Sequence, residues 1–273
     1  MNDQEYYYIS RMVLKLLNID LNIYQSNQMR RRLDSFIENS KVSNIAMYCH
    51  KVERDPVMLK QLNDFLTINV SEFFRDDLQF TNLKKVVMPE LLQNSHTLNI
   101  WSAGCSNGAE IYSIAMILNE ISSLSWHKLS ATDIDDKILA RAKQGGPYNQ
   151  RESRNIEKWD MQKHFTISEK SHWVTDDIKQ NVQFRKQNLM NDLFEKGFDL
   201  IVCRYVMIYF SDDARTELFR KFHQSLNSEG VLFIGGSEMI IGASNLGFTN
   251  FLPSMYKKSD PTHSPQRIAC DMS

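Results

Sequence analysis

The stretch LNIWSAGCSNGAEIYSIAMILNEI, residues 98–121, decides how the rest of the chain is read. Leu98–Ala103 is a short apolar run that closes in the small-residue turn Gly104-Cys105-Ser106-Asn107-Gly108. From Glu110 to Ile121 apolar residues recur at helical spacing. A strand running through a glycine loop into a helix is the opening unit of a parallel sheet with crossover helices. Glycines there let the backbone approach a ligand closely at the carboxyl end of the strand, where open α/β sheets bind cofactors. Tight strand-to-helix turns also carry glycine for steric reasons alone, so the loop by itself is weak evidence of a site.

The units on the C-terminal side repeat the pattern. Lys128–Thr132 reads as a second strand, ends in Asp133-Ile134-Asp135 and leads into a helix over Lys137–Lys143. Phe198–Cys203 and Val231–Gly235 are further strands, with a helix over Asp212–Leu226 between them. Segment Ile167–Asn188 breaks the alternation, and its Trp173-Val174 and Val182–Phe184 runs read as a short antiparallel excursion. An acidic residue placed like Asp133 commonly accepts hydrogen bonds from ribose hydroxyls, although a helix N-cap is the alternative. The loop is not GxGxxG and offers no run of donors for a pyrophosphate. That favours a nucleoside without phosphates, of which S-adenosylmethionine (SAM) is the obvious case.

On the N-terminal side the first 80 or so residues hold one proline and no glycine, and read as four helices: Tyr8–Leu17, Tyr24–Ser40, Asn44–Lys51 and Val57–Thr67. In the second, Met29, Leu33, Phe36 and Ile37 make one apolar face. Arg30, Arg31 and Arg32 cannot share a direction, because successive helical residues lie about 100° apart. A solvated face explains an isolated arginine run as well as a binding role does.

Bulk properties bound the function. The 273 residues suffice for one large α/β domain and a small helical one. A net charge of −1 supplies no global field for nucleic acid or an acidic membrane. The cysteines Cys49, Cys105, Cys203 and Cys270 show no CxxC spacing, which suits reduced thiols in a cytoplasmic protein and argues against a structural zinc site. No stretch approaches the roughly 18 apolar residues of a membrane span, and the N-terminus lacks the features of a signal peptide.

Several motifs carry a resemblance that spans about residue 8 to residue 257. Thr67-Ile68-Asn69-Val70-Ser71-Glu72-Phe73-Phe74-Arg75-Asp76 resembles the TxNxTxFFR signature of the chemotaxis-receptor glutamate methyltransferase (CheR) family. Trp101–Ala115 is similar to its WSAxCSTGEEPYSIA segment, and Leu129–Asp135 to its ATDID strand end. Gln187-Asn188-Leu189 resembles its xNLL element, Cys203–Phe210 its CRNVMIYF, and Gly236-Ser237-Glu238 its late GxSE. The motifs stand in the family's order and spacing.

The resemblance implies a Rossmann-like SAM-dependent methyltransferase fold: a mostly parallel α/β sheet, a small N-terminal helical domain and a small antiparallel β-subdomain. On that pattern 1–80 is the helical domain and linker. Residues 81–258 form the catalytic domain, with the β-subdomain around 165–188, and 259–273 are a disordered tail. The implied activity is methyl transfer from SAM to glutamate carboxylates of a chemoreceptor, leaving S-adenosylhomocysteine. A glutamate carboxylate is already ionised at neutral pH, so that reaction needs no general base.

By match to the family pattern, Asn69, Ser71, Arg75, Asp133, Asn188, Leu189 and Val206 line the cofactor site. Arg75 and Tyr209 hold the incoming carboxylate, although Tyr209 also reads as a core aromatic. Two positions depart from the pattern. The first glutamate of GEEPY, a cofactor contact, is Ala109, with Glu110 next to it, and the asparagine of CRNV is Tyr205, which can stack on an adenine ring. These departures motivate a second reading, a CheR-like scaffold that binds a receptor or signalling partner without turnover. The Arg30–Arg32 helix falls where the family meets acidic receptor helices, a case of charge steering. The short β-subdomain points to binding that does not need a receptor pentapeptide. The chain is expected to act as a cytoplasmic monomer, with no nucleic-acid partner and no insertion into the membrane.

Overall fold

The computed structural model describes residues 1–259 except 41, 43, 68 and 169, so the expected tail lies outside the described residues from Asp260 on. The chain divides into two units, Met1–Val70 with Val206–Glu217, and Ser71–Tyr205 with the chain from Leu218.

The first unit is built on α1 (Asp3–Leu17), α2 (Ser26–Asn39), α3 (Ile45–Val52) and α4 (Pro56–Leu66). Three of these start on a polar side chain that takes an orphan N–H. Asn2 and Glu5 close a capping box on α1, Asn44 caps α3, and Asp55 caps α4 just ahead of Pro56. Ile9, Val13, Leu33 and Leu62 are buried without remainder. Phe36 stacks on Phe65 with centroids 4.1 Å apart and meets Tyr48 edge-on.

In the second unit α5 (Asp77–Asn82) and α6 (Met88–Asn94) are joined by a π-turn at Leu83–Val87. Pro89 has no N–H to return to Lys85, and the helix widens there instead of breaking. The sheet follows, with β1 (Asn99–Ala103), α7 (Ala109–Ile121), β2 (Lys128–Asp133), α8 (Asp136–Gln144) and α9 (Gln150–Ser153). Next come β3 (Phe165–Ser168), β4 (Ser171–Val174), α10 (Asp176–Lys179), β5 (Val182–Lys186) and β6 (Phe198–Cys203). The last elements are α11 (Asp212–Ser225), β7 (Leu226–Ile234), β8 (Phe248–Leu252) and β9 (Met255–Lys258).

Seven strands form one sheet in the order β5-β2-β1-β6-β7-β9-β8. Its first five members are parallel, and β9 and β8 close it as an antiparallel hairpin. The expected Rossmann-like α/β class is what the structure has. Because the order reverses between β1 and β6, the carboxyl ends of those strands diverge into a crevice. Residues Ile100, Trp101, Ala103, Leu200, Ile201 and Val202 are wholly buried, as central parallel strands covered on both faces must be.

One expected pairing is corrected. Val182–Phe184 does not belong to an antiparallel excursion: β5 pairs parallel with β2 and forms an edge of the main sheet. Only β3 and β4 make the small antiparallel sheet. Helix α10, anchored by buried Ile178, stands between β4 and β5, so β5 finds its ladder partner at the main sheet's edge. Among the described residues the cysteines Cys49, Cys105 and Cys203 are free and buried, and burial pushes all three thiols up, Cys49 to about 12. No described helix is long and apolar enough to cross a membrane.

Gly108 starts α7 at φ 83°, and a Cβ there would stand 3.1–3.3 Å from Ala142, Tyr112 and Phe184. An L-residue in this left-handed conformation costs about 1–2 kcal/mol. Gly108→Ala is therefore expected to lower the urea-unfolding free energy by at least about 1 kcal/mol, and an unchanged midpoint would refute the steric reading.

Candidate active site

Asp133 ends β2 almost buried, at 9% exposure. Its Oδ2 accepts the Ser106 N–H at 2.8 Å and its Oδ1 the Asp135 N–H at 3.1 Å. It is not the cap of α8, because Asp135 fills that role by accepting from Lys137 and Ile138 N–H. Burial pushes the Asp133 carboxyl up, and the two backbone donors pull it partly back. Each oxygen keeps a lone pair for another donor.

The β1 turn is braced from behind. Asn107 accepts the Ala109 N–H and donates to Glu152 Oε1 at 2.8 Å, while Tyr148 donates to the Asn107 carbonyl. Arg141 closes on both oxygens of Glu152. Asn107 also reaches the carbonyl of Ser71 at 3.4 Å, and Phe73 N–H donates to the carbonyl of Glu152. The turn and the Ser71–Phe73 segment are thus held by one network of α9.

Beyond Phe73 the backbone is strained. Phe74, Asp76, Ser106 and Tyr205 all have positive φ, at 50°, 65°, 49° and 60°. Eight non-glycine residues do so among the described residues, so half of them gather here. Such clustering is typical of sites whose geometry is over-determined by their surroundings. Phe74 is kept in place by its N–H to Ser113 Oγ at 3.0 Å and by stacking on Trp159.

Arg204, which follows β6, is the hub, with only 2% of its side chain exposed. It donates to Asp76 Oδ2 at 2.6 Å, to the Arg75 carbonyl at 2.9 Å, to Gln79 Oε1 at 3.1 Å and to Glu110 Oε2 at 3.3 Å. Glu110 also accepts from Ser102 Oγ at 2.8 Å. Its carboxyl is therefore engaged by both Ser102 and Arg204. Burial pushes Glu110 up, and the Arg204 charge is the strongest influence opposing that. Ala109 itself is wholly buried in the core.

Tyr205 lies beside this hub. Its N–H donates to Glu238 Oε2 at 2.9 Å and its hydroxyl to Asp76 Oδ2, and the Arg75 guanidinium carbon sits 3.7 Å from its ring centroid. The ring thus stacks with Arg75. Gly235 permits this corner: a Cβ there would stand 2.8 Å from Glu238 Oε2 and 3.0 Å from Tyr205 N.

Among the other expected residues, Asn188 and Leu189 lie in a turn after β5 in the same unit. Asn188 Oδ1 accepts from Met190 and Asn191 N–H, and Lys221 Nζ pins the carbonyls of Leu189, Met190 and Asp192. Asn69, Val206 and Tyr209 belong to the first unit. There Tyr209 is half-buried, its carbonyl accepts the Gln25 N–H, and Arg32 lies 5.7 Å from its ring centroid. Sequence reading missed Arg204, Asp76, Asn107, Glu152 and Lys221. Arg204, Asp76 and Asn107 stood inside quoted motifs without being singled out, and Glu152 and Lys221 lay outside them.

The polar set suits a nucleoside. Ser106 Oγ and Gln187 Oε1 are buried with no partner among the described residues. Gln187 N–H bonds the Asp133 carbonyl, and Ser106 N–H its carboxylate. The unmet Ser106 hydroxyl, on a residue whose N–H bonds the Asp133 carboxylate, fits a ligand that brings hydroxyls and amines rather than phosphates. A family model described as the CheR methyltransferase all-alpha domain matches residues 4–67, and one described as the CheR methyltransferase SAM binding domain matches 69–252.

The chain belongs to the CheR methyltransferase family. The chemotaxis protein methyltransferase of Listeria monocytogenes is 36% identical over 258 residues, covering 94% of this chain and 98% of its own length. That of Borreliella burgdorferi is 34% identical over 258 residues, with 89% and 90% covered. The probable chemotaxis protein methyltransferase of Rhizobium etli is 32% identical over 259 residues, with 90% and 96% covered. S-adenosylmethionine is the cofactor of this CheR chain, and membership favours methyl transfer over the scaffold reading.

Removing the hub's charge takes away the strongest cation acting on buried Glu110 and leaves only the weaker influence of Arg75; breaking such a buried pair typically costs about 3–5 kcal/mol. Glu110 has a folded pKa above its ordinary 4.5, so ionising it opposes folding, and the penalty grows as pH rises through the folded value. Loss of Arg204 raises that value further. Arg204→Met is therefore expected to be much less stable than the parent at about pH 8 and closer to it at about pH 5. Equal losses at both, read by urea unfolding, would refute the pairing.

Proposed function

We propose that this chain is a protein-glutamate O-methyltransferase that esterifies glutamate side chains of chemoreceptors. The reading is carried by the nearly buried Asp133 facing the β1 turn at the sheet's switch point, in a chain with relatives named for chemotaxis methylation. SAM supplies a methyl group on a cationic sulfur that a carboxylate oxygen can displace.

Asp133 accepts the ribose hydroxyls of the cofactor. Asn188 and Leu189 border its base, and Ser71 donates a hydroxyl hydrogen bond. Arg75 orients the incoming carboxylate, using the planar fork that suits that group. A glutamate of ordinary pKa, about 4.3, arrives already ionised and needs no base. The protein's share of the rate would be positioning the carboxylate against the methyl group and excluding water. For Asn69, Val206 and Tyr209 the proposed roles rest on the family pattern. So does the assignment of Ala109.

The partner is the acidic helical region of a receptor, and α2 is the surface offered to it. Its three arginines are not equivalent. Arg30 is engaged with Asp3 at 2.6 Å, and Arg32 donates to the Phe65 carbonyl at 2.9 Å. Arg31 is exposed and carries the steering charge. The protein works as a monomer in the cytoplasm.

Calorimetry with S-adenosylhomocysteine tests the cofactor site: micromolar binding is expected, with at least about a tenfold loss for Asp133→Ala. Unchanged binding by that variant would overturn the assignment. Transfer of a labelled methyl group to glutamates of a cognate receptor fragment tests the reaction itself. Arg31→Glu should raise the KM for that fragment several-fold, most strongly at low salt, with kcat preserved. An unchanged KM would move the docking surface elsewhere.

A further inference from the structure

Tyr205 stands where the resemblance leads one to expect an asparagine, in a left-handed conformation that asparagine tolerates far better than tyrosine. A bulky residue persists in such a conformation only where its surroundings hold it. Three contacts do so: the N–H on Glu238, the hydroxyl on Asp76, and the Gly236 N–H donating back to the hydroxyl at 3.3 Å. Gly235 makes the room, while Gly236 would meet the hydroxyl only at ordinary contact distance. A Cβ on Gly235 would stand 3.1 Å from the ring Cδ1, and one on Gly236 would stand 3.4 Å from the hydroxyl. The ring so fixed lies under the Arg75 guanidinium, its carbon 3.7 Å from the centroid, well inside the range of a strong cation–π contact. Asp76, on which the hydroxyl rests, is itself gripped by Arg204.

We propose that Tyr205 is a positioning residue for Arg75: its ring is the platform that fixes the guanidinium in the orientation used on cofactor and carboxylate. The inference rests on the proposed role of Arg75. It assigns to Tyr205 a part different from stacking on the adenine. A free arginine side chain samples many rotamers, and ordering it only on ligand binding weakens that binding. A ring pinned at both ends removes that ordering step. An asparagine at 205 cannot offer such a surface, so this chain pre-organises Arg75 by a device the family pattern lacks.

A double-mutant cycle on the full chain tests it, read by calorimetric affinity for S-adenosylhomocysteine and by the KM for a receptor fragment. Tyr205→Leu should worsen at least one of these about 5–10-fold while Arg75 is present. In an Arg75→Ala background the same change should shift neither by more than about twofold. Tyr205→Phe, which keeps the ring but gives up the hydroxyl anchor on Asp76, should fall between the parent and Tyr205→Leu. Equal effects of Tyr205→Leu in both backgrounds would overturn the proposal and indicate direct contact with the ligand. No effect of Tyr205→Leu beside a large effect of Arg75→Ala would overturn it too. If Arg75→Ala alone changed nothing, the underlying role of Arg75 would have failed instead.

A structural readout covers the case in which the leucine variant does not fold. The Arg75 Nε–H proton, identified by its loss in Arg75→Lys, should be shifted upfield by the ring in both the parent and Tyr205→Phe. An unshifted proton in the parent would overturn the platform.

Discussion

The buried guanidinium of Arg204 is the interaction on which the rest of the site depends. One side chain ties the end of β6 to α7 through Glu110, to the linker through the Arg75 carbonyl and Asp76, and to α5 through Gln79. Phe80 and Phe233 rings face it at 5.4 and 4.7 Å, so its charge has little water to compete with. A guanidinium suits this position better than an ammonium, because its fork serves several acceptors and it is more weakly hydrated. Without this knot, the left-handed turns at Phe74, Asp76 and Tyr205 would have less to oppose their relaxation.

Strain and support divide the work. The β1 turn is held from one side by Asn107, Glu152, Arg141 and Tyr148, and the Ser71–Asp76 segment threads between that brace and Arg204. The parallel sheet brings all these groups to its carboxyl edge. Many of the side chains around the β1 turn and Arg204 are tied to one another or to backbone groups. A site organised this way changes little on binding and draws its rate from geometry.

Much of this was legible in the residues. The strand–glycine–helix unit at 98–121 led to the sheet, and a loop without the GxGxxG pattern led to a cofactor without phosphates, as the family's SAM binding domain bears out. What escaped reading did so for physical reasons. Val182–Phe184 is too short to declare its partner, and only the intervening α10 decides that it joins β2 in parallel. The β8–β9 hairpin lacks the alternation that marks a strand pair. The Arg204 knot joins groups 94 and 128 residues apart, and no local spacing encodes such a contact. Glu110 stands next to Ala109 in sequence, and its bonds to Ser102 and Arg204 could not be read from that position. The arginine run showed a further limit: three like residues in sequence, of which Arg31 is the exposed one.

The buried thiols give the molecule an internal clock. Cys49 belongs to the helical unit, while Cys105 follows β1 and Cys203 ends β6 in the other, and all three are sealed from reagent in the closed state. A thiol that is both buried and hard to ionise reacts only when the structure around it opens. The rate at which each is alkylated therefore meters the opening of its own unit. Cys105 and Cys203 flank the crevice where the strand order reverses, so ligand occupancy there registers as slowed labelling of two native side chains, without a dye or a substituted residue.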